Sequence, residues 1–161
     1  MNESKKRKPN RLKNYDYSQN GAYFVTVCIK DRIPILSRIT VGANCVRLSE
    51  IGLTVEREIQ KLNTVYDSVF ISDYVIMPNH VHLIICIDAE QTMPAPTVSR
   101  IVKQFKGSIT KKIGQSIWQK GFYDHIIRDD SDYLIKKQYI SDNPIKWSED
   151  ELYFHQTNDK C

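Results

Sequence analysis

Apolar and polar residues alternate along this chain with a period that changes several times, and the changes mark out its elements. Gly21-Ala22-Tyr23-Phe24-Val25-Thr26-Val27-Cys28-Ile29 is β-branched and aromatic, lies between Asn20-Gly21 and Lys30-Asp31, and predicts a buried strand. A connection containing Pro34 follows. Ser49 or Glu50 then opens a helix reaching about Tyr66, with Ile51, Val55, Ile59 and Leu62 on one face and Glu56, Arg57 and Lys61 on the other. Residues 69–77 and 81–87 are apolar runs parted by Met77-Pro78-Asn79, which predicts two neighbouring strands joined by a turn. Residues 89–96 carry two prolines and read as a loop. Thr97 or Ser99 caps a helix running to about Lys112, with Val98, Ile101, Val102, Phe105 and Ile109 on its apolar side and Gly114 ending it. Residues 122–128 form a short strand, and Asp129 or Asp130 caps a last helix that Asn143-Pro144 terminates. The order β, α, β, β, α, β, α predicts an α+β fold, a mainly antiparallel sheet with helices on one face.

Composition narrows this further. A chain of 161 residues, 41% hydrophobic and 26% charged, suits one globular domain, with two being crowded. No apolar run approaches the roughly eighteen residues that span a bilayer, so no membrane association is expected. The basic N-terminus has no apolar segment behind it, so no secretory signal is read and a cytoplasmic address follows. Cys28, Cys45, Cys86 and Cys161 show no framework spacing and read as free thiols, Cys28 and Cys86 in the core. Charge is uneven: Lys5, Lys6, Arg7, Lys8, Arg11 and Lys13 stand against Glu3 alone, whereas the whole chain nets +4. Residues 1–13 are therefore a basic arm, 14–150 a single domain and 151–161 a tail; His155 and the stretch from Ser148 to Cys161 are uninformative. Residues 100–120, with Arg100, Lys103, Lys106, Lys111, Lys112 and Lys120 and no acid, form a second basic stretch, suited to phosphate contacts or to a solvated helix face.

On a strand, His80 and His82 project from one face while Val81, Leu83 and Ile85 point to the other. Two imidazoles on one face can share a divalent ion; Cys86 has the same parity but lies roughly 13 Å from His82 along the strand, too far to join them. Such a pair alone is equally a structural feature. On the last helix Tyr139 and Asn143, four apart, differ by about 40° round the axis and share a face, whereas Tyr133 lies roughly 120° from Tyr139. A phenol can act as a nucleophile and an amide oxygen as a third ligand for Mg²⁺ or Mn²⁺. The plainer alternative is a core aromatic and a helix C-cap.

Tyr74-Val75-Ile76-Met77-Pro78-Asn79-His80-Val81-His82-Leu83-Ile84-Ile85 resembles the His-hydrophobic-His (HUH) block of single-tyrosine transposases of the IS200-like superfamily, and Tyr139-Ile140-Ser141-Asp142-Asn143-Pro144 resembles their tyrosine helix. The likeness is closest to the REP-associated tyrosine transposases. It extends through Tyr15-Asp16-Tyr17, the strand from Gly21, Phe105-Lys106 and Trp118-Gln119-Lys120-Gly121-Phe122-Tyr123-Asp124-His125-Ile126-Ile127-Arg128, and so covers about residues 11 to 150. The resemblance implies a ferredoxin-like fold and a metal-dependent single-stranded DNA endonuclease and strand transferase, acting at hairpins of palindromic repeats through a 5′-phosphotyrosine. Tyr139 would be the nucleophile, and His80, His82 and Asn143 the ligands of Mg²⁺ or Mn²⁺. DNA contacts would come from Lys5, Lys6, Arg7, Lys8, Arg11, Lys103, Lys106, Lys111, Lys112, Trp118, His125 and Arg128, with Phe122 and Tyr123 as further stacking candidates. The mobile branch tends to have Gln where this chain has Asn143, so the resemblance implies a domesticated, nucleoid-associated role, as monomer or homodimer. A noncatalytic nucleic-acid binder and a metal nuclease using water are the alternatives.

Overall fold

The computed structural model describes residues 20–40, 45–88, 90 and 94–153. The basic arm, the Tyr15-Asp16-Tyr17 motif, Lys5, Lys6, Arg7, Lys8 and Arg11, and the end of the tail with His155 and Cys161 lie outside them. The chain runs β1 (Gly21–Cys28), β2 (Ser37–Thr40), β3 (Cys45–Leu48), α1 (Glu50–Val65), β4 (Val69–Ile76), β5 (His80–Ile87), α2 (Val98–Ile113), β6 (Tyr123–Ile127) and α3 (Asp130–Asp142). Strands β4-β5-β1-β6 form one sheet, antiparallel at every step. This is the β-α-β-β-α-β arrangement of ferredoxin-like folds, with the hairpin β2–β3 inserted before α1. That hairpin falls where the sequence pattern predicts only a connection.

Each helix starts where a side-chain oxygen can accept from a backbone N–H of its first turn: Ser49 from Gly52, Thr97 from Arg100, Asp129 from Asp132. Helix α2 ends on Gly114, whose φ of 84° is the left-handed conformation that glycine adopts without a Cβ penalty.

The α+β class and antiparallel sheet agree with the sequence pattern, but the helices divide between the two faces. Val25, Val27, Val81, Leu83 and Ile85 form one core with Val55, Ile59 and Leu62 of α1 and Ile101, Phe105 and Ile109 of α2. On the other face a smaller cluster of Phe24, Ile84 and Ile140 seats α3. A bulge between Ile71 and Asp73 adjusts β4 to this division: Ile71 and Tyr74 pack on the large core, while Asp73 turns to the α3 side and accepts from the Tyr133 hydroxyl at 3.0 Å.

The turn before β5 is fixed from several sides. Met77 N–H donates to His80 O at 2.9 Å, Ile29 N–H to Asn79 O at 2.8 Å, and Leu36 N–H to Pro78 O at 2.9 Å. Ser49 N–H in turn donates to Leu36 O. The start of α1 lies so close to this segment that a Cβ on Gly52 would stand 2.0 Å from Leu36 O. Residue 52 must therefore lack a side chain.

Candidate active site

Strand parity sets His80 and His82 on the α3 face, and both are buried. Their Nε2 atoms face each other at 3.1 Å. The outer nitrogens are held: His80 Nδ1 lies 2.8 Å from Asn79 Oδ1, and His82 Nδ1 2.8 Å from Thr26 Oγ1. The Asn79 amide nitrogen donates to Leu152 O at 2.7 Å and Arg32 O at 3.2 Å, so its oxygen is the atom left for His80. His80 Nδ1 thus carries the proton and Nε2 offers a lone pair inward.

Asp150 completes this group. Its Oδ2 lies 3.9 Å from His80 Nε2, its carboxylate is buried, and His80, His82 and Asp150 bring one potential ligand atom each within 4.8 Å of one another. These three side chains could hold a metal ion. Asn143 is 4% exposed; its Nδ2 donates to Asp150 Oδ2 at 2.9 Å, while its buried Oδ1 has no hydrogen-bond partner among the described residues. A buried, unpaired acceptor beside two inward imidazole nitrogens and a carboxylate is a donor set that fits Mg²⁺ or Mn²⁺.

Burial pushes the His80 imidazole down to about 4, against the opposing pull of Asp150 and Asn143, and it also pushes His82 well below its ordinary range, helped by His80 and Lys136. Both rings are therefore neutral at pH 7, the form that binds metal.

Helix α3 presents Tyr139 to the same place. Its ring stands edge-on to His82, centroids 5.3 Å apart, and to Phe24 at 5.8 Å, yet the residue remains 44% exposed. Burial of the hydroxyl, then the charges of Asp150 and Glu151, raise its pKa, with Asn143 acting in the opposite sense. The phenol is accessible, protonated, and next to the possible metal-binding group. Tyr133, by contrast, is occupied with Asp73.

Several cations expected at DNA have other work. The Lys106 ammonium donates to Gln119 O at 2.7 Å and Gly121 O at 2.8 Å, tying α2 to the segment before β6. Lys112 pairs with the buried Glu58 of α1, which also accepts from Ser108. Trp118 is 6% exposed and packed near Phe105, so its ring is a core element and not a stacking platform. Lys103 and Lys111 are exposed but belong to α2, across the sheet from the histidines. His125 Nε2 lies 2.8 Å from Asp132 Oδ2, joining β6 to the first turn of α3, and the backbone N–H of Arg128 donates to the same oxygen.

Sequence reasoning missed Asp150, which lies just past a short 3-10 turn, Trp147–Glu149, whose Trp147 is buried near His80. The stretch from Ser148 on is therefore not uninformative: Asp150 and Leu152 build the site. Thr26 and Asn79 did leave a signal, as a polar residue of the right parity in an apolar strand and as the neighbour of His80.

A tyrosine on a helix, set against a His-hydrophobic-His strand on an antiparallel sheet, defines the class of single-tyrosine HUH transposases. Within it the chain belongs to the REP-associated tyrosine transposases. It is 32% identical over 165 residues to an uncharacterised Haemophilus influenzae protein, spanning 89% of this chain and 91% of that one. It is 28% identical over 130 residues to the REP-associated tyrosine transposase of Escherichia coli, spanning 81% of this chain and 70% of the relative. Its fold matches, with a TM-score of 0.65 and 24% identity over 85% of this chain and 74% of the other, a REP-associated tyrosine transposase solved bound to a REP hairpin. No family model matches the sequence. The named relative and the solved neighbour are transposases, DNA-processing proteins. Among the described residues no helix is long and apolar enough to cross a membrane.

Proposed function

We propose that this protein cleaves and rejoins single-stranded DNA at hairpins of palindromic repeats, with Tyr139 as nucleophile. The observation that carries this reading is the half-exposed Tyr139 phenol standing edge-on to His82, where His80, His82 and Asp150 converge. The hairpin-bound neighbour supports the substrate class. A divalent ion, Mg²⁺ or Mn²⁺, would be held by His80, His82 and Asp150 with Asn143 beside them, and would supply Lewis-acid polarisation of a phosphate oxygen.

The chain's own residues do the rest. Tyr139 Oη attacks phosphorus in line; the Tyr–O–P bond forms and the P–O3′ bond breaks. The phenolic proton passes to solvent, and the departing 3′ oxygen takes one up, leaving a 3′-hydroxyl and a 5′-phosphotyrosine. Because one phosphodiester replaces another, a second strand's 3′-hydroxyl can reverse the step without ATP. At pH 7 an ordinary phenol is only ~0.1% ionised. Its raised pKa here means that Tyr139 depends on charge stabilisation at the phosphate. Asn79 and Thr26 keep the imidazoles oriented. Arg32, Lys136 and Lys146, which border the cavity in front of Tyr139, and the basic arm are the backbone contacts of this reading.

The test is incubation with end-labelled single-stranded hairpin DNA from the repeats flanking its gene, with Mn²⁺, Mg²⁺ or EDTA, followed by a denaturing gel. A metal-dependent, protease-sensitive shifted band that Tyr139→Phe abolishes is the expected result. Cleavage without an adduct would assign the chemistry to water, and hairpin binding without either would leave a binding module.

A further inference from the structure

Helix α3 is held to the sheet by little packing. Ile140 is its one buried residue, so the rotation of the helix about its own axis has to be set by polar ties. Those ties lie in two rows. Residues seven apart on a helix differ by only about 20° round the axis and about 10 Å along it, so Asp132 stands in line with Tyr139, and Tyr133 in line with Ile140.

In the second of these rows Ile140 sits in the small core, and the Tyr133 hydroxyl donates to Asp73 of β4 at 3.0 Å, with Lys137 3.8 Å from the same carboxylate. In the first, Asp132 meets β6, the opposite edge of the sheet. His125 Nε2 lies between its two oxygens, 3.0 Å from Oδ1 and 2.8 Å from Oδ2. Asp132 is itself fixed to the start of the helix: Oδ2 accepts the Arg128 backbone N–H at 3.1 Å, and the Asp132 backbone N–H donates to Asp129 Oδ1 at 2.8 Å. The bond from His125 is also the largest reason why the Asp132 carboxyl lies below its ordinary range, so the acceptor is ionised at neutral pH. Register carries His125 to this point. It pairs with Phe24 of β1, whose ring stacks on His82 with centroids 5.0 Å apart and meets Tyr139 edge-on at 5.8 Å. The residue that grips Asp132 is thus a strand neighbour of the ring against which Tyr139 rests.

We propose that His125 is a positioning residue: through Asp132 it fixes the rotation of α3 and so aims the Tyr139 hydroxyl. This rests on the proposed function and adds to it a residue that acts without touching DNA. A side-chain tip lies roughly 6 Å or more from the helix axis, so a turn of about 10° moves the phenol oxygen by about 1 Å. A misplacement of that size slows a reaction on the order of 100-fold, while a binding surface elsewhere is unaffected.

The test compares, in the full chain with end-labelled hairpin and Mn²⁺, His125→Ala with His125→Gln, whose amide N–H can replace the ring N–H at Asp132. At saturating protein, His125→Ala is expected to lower the single-turnover rate of adduct formation by roughly 10- to 100-fold with hairpin affinity unchanged, and His125→Gln to restore most of it. His125→Ala combined with Asp132→Ala should be no slower than the slower single variant, because both cut the same tie. Independently of activity, the Ile140 δ1-methyl resonance, which reports on the Phe24 ring in its cluster, should shift in His125→Ala and return in His125→Gln. A lower Tm with an unchanged rate in folded molecules makes His125 merely structural and overturns the proposal. Weaker hairpin binding at an unchanged rate overturns it too, and makes His125 a DNA contact. Wild-type protein that forms no adduct overturns the proposed function and this inference together.

Discussion

The two faces of the central sheet use the same strands for opposite purposes. Towards α1 and α2 the inward residues of β1 and β5 are aliphatic or aromatic and fully buried, and the core they form reaches across both helices. Towards α3 the alternate residues are Thr26, His80 and His82 beside a small cluster of Phe24, Ile84 and Ile140. Helix α3 is attached there by Ile140 and by polar links, Tyr133 and Lys137 to Asp73 and His125 to Asp132, while Leu134 and Ile135 face outward. One face carries the stability, which leaves the other able to bury unprotonated imidazoles and expose a phenol.

The contrast can be broken most sharply on the polar face. His82→Ala is expected to reduce adduct formation by roughly 10²- to 10³-fold, comparable to losing a principal electrostatic group at an active centre, with a far smaller change in Tm. Adduct yield and thermal melting on the same preparations read both. Leu83→Ala, one residue on and pointing the other way, should cost ~3 kcal/mol of unfolding free energy while folded molecules keep their cleavage rate. Urea unfolding combined with single-turnover cleavage separates these outcomes.

Acid titration gives a third handle. His80 binds its proton at about 4 in the folded chain against an ordinary 6.5, so the unfolded state takes up the proton first. The stability due to the neutral ring is present above pH 6.5, declines as pH falls toward 4 and levels off below. His80→Gln should flatten that part of a pH–stability curve. Smaller effects mark the seams. Tyr133→Phe should cost ~1 kcal/mol by freeing α3 from Asp73, lowering cleavage more than melting temperature. Lys112→Ala should cost ~1 kcal/mol, its half-exposed ammonium being screened, and leave DNA affinity unchanged; a weaker complex at fixed salt would show that Lys112 meets DNA after all.

The sequence made much of this legible because strand parity and helix caps are local signals. Ser49, Thr97 and Asp129 mark helix starts, and the alternation of His80-Val81-His82-Leu83 separates the faces of β5 without any knowledge of what covers them. Strands β2 and β3 escaped because four residues each, mixed in polarity, hold too little periodicity. The facing of Asp73 escaped because a bulge shifts parity within β4. The lysines of α2 are harder to read for a different reason. Charge along a helix reveals an outward face, but which side of the sheet that helix covers is a tertiary fact, as is the pairing of Lys112 with a carboxylate 54 positions away. Asp150 reaches the histidines only because the chain folds back after α3.

The pairing of Thr26 with His82 on one side and Tyr123 on the other, across β5, β1 and β6, also bears on fidelity. Because side chains on a strand alternate, a one-residue slip of β1 against its neighbours would put Val25 or Val27 beside His82 and thrust Thr26 into the aliphatic layer. On the proposed function, misaligned and disarmed would then be the same state: a molecule that has not found its correct strand pairing has no imidazole oriented by Thr26, and so lacks the site that would nick DNA. If the proposed cleavage holds, the alignment of these strands would act as a safety catch on the chromosome.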